Sequence, residues 1–155
     1  MSALSRIFWW AAYIVIALAL QQQFPGLDAL TPGFLIALQQ RNIRQTICLF
    51  LLFTIIQEGA GNLHFGMGML WYGGQIVLFR LSARLFLADN ILFVSVMSAS
   101  LGAYYCALLW LMCALQDVPM DYMTLVREGL FQTLAIPLIW GITWLFMPKA
   151  AQHAH

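Results

Sequence analysis

Residues 25–44 read PGLDALTPGFLIALQQRNIR. Inside this stretch the apolar run Leu27–Leu38 follows Pro25, contains Pro32 and stops before Arg41 and Arg44. Such a run rises only about 18 Å as a helix, against a membrane hydrocarbon core of roughly 30 Å. It reads either as a short span or as a re-entrant piece. The choice decides on which side of a membrane everything after it lies.

That a membrane is involved follows from composition. Of 155 residues, 63% are hydrophobic and 8% charged, with a mean hydropathy of +0.83. A soluble domain carries about 25% charged residues, so this chain has too few charges to cover a water-facing surface. The net charge of +1 leaves no basic face for nucleic acid. At roughly 20 residues per helical crossing, the length allows six crossings and no separate soluble domain.

Six apolar segments are predicted, about Leu4–Leu20, Leu27–Leu38, Ile43–Ile56, Leu63–Phe79, Ile91–Leu115 and Thr124–Met147. They make residues 1–155 a single all-α transmembrane domain. If all six cross, Arg6, Arg41, Arg44, Arg80, Arg84 and Lys149 share one side, which is six of the seven basic residues. If the second segment fails to cross, Arg6 opposes Arg41 and Arg44. Positive residues concentrate on the cytoplasmic side. The expectation is therefore six spans, both termini cytoplasmic, and a tight turn at Arg41–Arg44. Asp89 is the acid on that side, and Asp89-Asn90 reads as a helix N-cap for the fifth span. Ala17-Leu18-Ala19 resembles a signal-peptide cleavage site, but it lies within the apolar run, so an uncleaved anchor is expected.

On this threading IIQEGAGNLHFGMGMLWYG (residues 55–73) is the outer hairpin between the third and fourth spans. Glu58, Asn62, His64 and Gly66 cap it and form the candidate contact for a partner or ligand. Glu58 and His64 could act as an acid–base pair in principle, yet no nucleophile, HExxH pattern or paired-Glu motif accompanies them. Their bland alternative is interfacial placement with water as partner. Cys48, Cys106 and Cys113 read as small core residues. There is no CxxC and no metal-ligand spacing, and the AAQHAH tail does not make a metal site. No catalytic residue, cofactor or metal is expected.

The fifth span carries Ser95, Ala99, Ala103 and Ala107 at four-residue spacing, with Ser98, Gly102 and Cys106 in the adjacent row. Small residues let helices approach closely in lipid. The first row together with Gly102 is the expected packing face, against helices of this chain or of another membrane protein. Arg80 and Arg84 share a helical face beside the cytoplasmic interface, where anionic lipid or a cytoplasmic partner would meet them.

A resemblance joins these pieces. FPGLDALTPGFLIAL places Pro before a short second span, EGAGNLHFG closes the third span with an acid and opens the fourth with Phe-Gly, and the last span ends in Pro with a basic tail. This pattern resembles the rod shape-determining MreD family. There the hairpin typically reads Asp, a few small or apolar residues, then Leu-Gly; here Glu58 stands at the Asp and Phe65-Gly66 at the Leu-Gly, while His64 is a departure. The resemblance implies a non-catalytic inner-membrane scaffold of the bacterial cell-elongation machinery. Its implied partners are MreC-like and MreB-like proteins and cell-wall synthesis proteins. The family is similar in fold to the substrate-binding subunits of energy-coupling-factor vitamin transporters. That alternative would use a polar outer pocket lined by Glu58, Asn62, His64 and Trp71. It also calls for an Ala-xxx-Ala docking motif that IFWWAAYIVIALAL (residues 7–20) lacks.

Overall fold

The computed structural model describes residues 3–24, 26–59, 66–84, 91–117, 119 and 121–146. Asn62, His64, Phe65, Asp89, Asn90 and Lys149 lie outside the described residues. The chain is all-helical: α1 (Ala3–Gln23), α2 (Thr31–Gln39), α3 (Ile43–Gly59), α4 (Met67–Ser82), α5 (Ile91–Leu115) and α6 (Tyr122–Phe146). Each apolar segment of the sequence is thus a helix. Three of them, α1, α5 and α6, are long and apolar enough to cross a membrane. The helices α2, α3 and α4, with 9, 17 and 16 residues, are shorter.

The nine residues of α2 (TPGFLIALQ) are all buried. A helix apolar all round has no face that prefers water, and here α3, α4 and α6 pack around it. It starts at Thr31 rather than Leu27, because Gly26 takes a positive φ of 88° and the residues after it form the lead-in turn. Pro32 opens the helix, where its missing N–H costs nothing. At the other end Arg41 adopts a left-handed φ of 54°. The Asn42 carbonyl and side chain then receive the first amides of α3, from Thr46 at 2.9 Å and Gln45 at 3.3 Å. The expected tight turn is present, occupying residues 40–42, with Arg44 already helical.

The α5/α6 pair is built on small residues. A methyl group placed on Gly102 would run into the Thr133 hydroxyl and lie 2.7 Å from the Gly129 carbonyl oxygen; one on Gly129 would strike the Cys106 sulfur. Backbone meets backbone at this crossing. Within the chain, the packing face expected on α5 is divided. Gly102 is buried, but Ser95, Ala99, Ala103 and Ala107 are exposed. The adjacent row of Ser98, Gly102 and Cys106 faces the bundle instead, because α6 presents Gly129 opposite Gly102.

Elsewhere the surface is strongly apolar. Leu4, Ile7, Phe8, Leu134, Leu138 and Leu145 are each more than 65% exposed. Contiguous apolar surface of this kind is foreign to soluble monomers and suits a hydrocarbon surround. The peripheral helix is α1, in which Ala17 is buried and its described neighbours are not.

Candidate functional site: a buried carboxylate and its donors

Asp28, in the lead-in to α2, is 6% exposed. Its Oδ1 accepts hydrogen bonds from Gln21 Nε2 at 3.1 Å, the Leu30 backbone N–H at 3.0 Å and Gln57 Nε2 at 3.0 Å. Its Oδ2 accepts from Thr31 Oγ1 at 2.7 Å, Trp71 Nε1 at 2.6 Å and Tyr72 OH at 3.2 Å. Two carboxylate oxygens offer about four lone-pair sites, so the group is saturated. The local bonds to Leu30 and Thr31 shape the turn into α2. The distant ones bring α1, α3 and α4 onto the same point.

All of these donors are neutral. A buried polar group left without hydrogen bonds costs free energy, and these donors remove that cost. The demand for donors also orients the amides around it. Gln75 turns its Nε2 to Thr31 Oγ1 at 2.8 Å, which leaves Thr31 free to donate to Asp28. Gln75 Oε1 and Gln21 Oε1 are buried without a hydrogen-bond partner among the described residues. A hydrogen bond to a charged group contributes about 1.5–3 kcal/mol, comparable to what an orphaned neutral acceptor costs. The amides therefore face the charge.

Around this centre lies an aromatic and polar shell. Tyr72 packs edge-on against Phe34, with centroids 5.3 Å apart, and Trp71 stacks on Tyr104 at 5.7 Å. Trp71 also meets Tyr105, whose hydroxyl donates to Glu128 Oε2 at 3.3 Å. Gln132 on α6 donates to the Gly26 carbonyl at 2.7 Å, and Trp140 donates to Gln39 at 3.0 Å, so α6 holds α2 at both ends. Tyr13 attaches α1, donating to the Ala29 carbonyl at 2.7 Å and accepting the Gly33 N–H at 2.8 Å.

The sequence candidates fall elsewhere. Glu58 is half-buried at the end of α3 and lies across Gly68 of α4, where an added methyl group would sit 3.3 Å from its Cγ. Gly66 is the residue before α4, with a φ of 83° that glycine adopts without strain. Arg41, Arg44, Arg80 and Arg84 are exposed. Trp71, suggested as a wall of an outer pocket, is 1% exposed and committed to Asp28. The residues that reasoning from sequence missed are Asp28 and its donors other than Trp71. One signal could have found them: Gln57, Gln75 and Gln132 interrupt apolar helices, and an amide in such a place needs a partner.

No family model matches the chain, and no match is found among curated proteins or solved structures.

Proposed function

We propose that this protein is a non-catalytic, multi-pass scaffold of the bacterial inner membrane, of the kind its resemblance to the MreD family implies. Six crossings with both termini in the cytoplasm fit the clustering of six of the seven basic residues. The observation that carries the proposal is the saturation of Asp28. Its lone pairs are spent on bonds that tie four parts of the chain together. A base or ligand-binding carboxylate needs lone pairs to spare; a structural one does not.

Recruitment then falls to the surfaces. The hairpin end at Glu58 and the exposed Ser95, Ala99, Ala103 and Ala107 row are the partner-facing candidates, with MreC-like and MreB-like proteins and cell-wall synthesis proteins as the implied partners. Glu58→Ala tests this. The variant is expected to insert and fold normally while recovering much less partner protein from native membranes. Undiminished partner recovery would contradict the assignment of Glu58.

A further inference from the structure

Between α1 and α6 runs an apolar groove with a volume of about 240 Å³. Its α1 wall is built from Trp9, Ala12, Ile16 and Leu20, and its α6 wall includes Ile142 and Phe146. Ala17 and Ala29 carry only methyl groups and so leave room at the floor. Two polar side chains border it, and both are already engaged within the fold. Tyr13 bonds to Ala29 and Gly33, and Thr143 donates to the Ile139 carbonyl at 2.7 Å. The groove asks for hydrocarbon.

Its shape and ends narrow the occupant. From Trp9 to Leu20 the groove extends about 16 Å along α1, close to half the roughly 30 Å hydrocarbon thickness. That is the depth of one leaflet. Trp9, Ala12, Ile16 and Leu20 follow each other at helical three- and four-residue spacing, and Arg6 is the next position on the same row. Helical side chains slant toward the N-terminus, so Arg6 reaches beyond the groove mouth, where the phosphate of a lipid would lie. Arg6 is exposed, with no acidic partner among the described residues. Trp9 stacks on Tyr13 at 5.8 Å and 8°, giving the mouth a flat aromatic wall.

We infer that this groove seats one acyl chain of an anionic phospholipid whose headgroup Arg6 holds. The apolar slot takes an acyl chain, and a cationic residue at the headgroup level favours a net-anionic headgroup over a zwitterionic one. The preference rests on Arg6, and the seat rests on the small residues of the floor and walls.

The test uses the full chain in phosphatidylcholine vesicles doped with acyl-brominated phosphatidylglycerol or acyl-brominated phosphatidylcholine. Quenching specific to Trp9 is taken as the difference between the native protein and Trp9→Phe. Half-maximal quenching of Trp9 is expected at a roughly fivefold lower mole fraction of the anionic lipid. Arg6→Gln is expected to abolish that preference while leaving the melting temperature unchanged. Ala12→Phe, at an exposed position on the wall, is expected to fill the slot and reduce quenching by both lipids. Equal quenching by the two lipids in the native protein would overturn the inference. So would a preference that survives Arg6→Gln, or quenching that Ala12→Phe leaves intact.

Discussion

Trp71 donates its indole N–H to Asp28 at 2.6 Å, across 43 residues of chain. The adjacent Tyr72 also reaches Asp28, at 3.2 Å, and Trp71 lies 3.2 Å from Thr31 Oγ1, so these bonds fix α4 against the start of α2. The other donors to Asp28 repeat the arrangement from α1 and α3. The core of the bundle is therefore organised around an acceptor rather than around apolar packing alone.

The first consequence concerns Asp28 itself. Every neighbour of its carboxylate donates, so Asp28→Asn would aim an amide N–H₂ at groups that also donate. The isosteric change should be nearly as damaging as Asp28→Ala. Each is expected to destabilise the protein by about 1–3 kcal/mol, the scale for leaving buried donors unsatisfied. Reversible unfolding in detergent, monitored by tryptophan fluorescence, checks this. An Asn variant as stable as the native protein would show that one of the facing groups is not a donor.

Distances separate the two aromatic donors. Trp71 approaches Asp28 at 2.6 Å, whereas Tyr72 OH lies at 3.2 and 3.4 Å from its two oxygens. Trp71→Phe is expected to cost about 2 kcal/mol, the range for a bond to a charged group. Tyr72→Phe keeps the ring against Phe34 and Phe53 and should cost less than about 1 kcal/mol. The same unfolding assay ranks them. Equal losses would contradict a dominant Trp71 bond.

On α5 the two small-residue rows should respond oppositely. Gly102→Ala forces a methyl group toward the Thr133 hydroxyl and the Gly129 carbonyl, so α5 and α6 must separate. A loss of about 1–3 kcal/mol is expected, typical of overpacking. Ala103→Leu points away from the bundle and should leave the melting temperature within about 1 °C of native, since surface changes fall within about ±0.5 kcal/mol. Thermal melts of the two variants side by side decide it.

The start of α6 should depend on pH. Asp121 accepts from the Thr124 hydroxyl and from the Met123 N–H at 3.1 Å. The Thr124 bond first, and the Met123 bond after it, lower the Asp121 pKa below the ordinary carboxylate value. Its folded pKa thus lies below its unfolded one. The cap's contribution is fully present above the ordinary carboxylate range and is lost as the pH falls through the lowered folded value. Hydrogen exchange at residues 123–125 is expected to accelerate, relative to mid-helix amides, on acidification through that range. Asp121→Ala should abolish the pH-dependent part. A native cap indifferent to acid would contradict the assignment.

Much of this architecture can be read without coordinates. Apolar segments bounded by Pro25, Arg41 and the glycine-rich hairpin mark all six helices, and Arg41 does sit in a tight turn. The role of Asp28 is hidden because an acid between Pro-Gly and a second proline reads locally as a loop residue. Its partners lie up to 44 positions away on three other helices. Which row of α5 packs within the chain is hidden for a related reason. Its two rows of small residues are neighbours in sequence, and only the position of Gly129 on α6 chooses between them. Local spacing reveals a face that can pack; the opposite helix determines which face does.

The scaffold proposal is tested most directly by purifying the tagged protein from native membranes in mild detergent, with mass spectrometry of both the proteins and the small molecules that accompany it. Recovery of MreC-like or cell-wall elongation proteins, with no stoichiometric small ligand other than lipid, is expected. Recovery of an ATPase module or a stoichiometric vitamin-like molecule would contradict the scaffold and make the protein a transporter subunit.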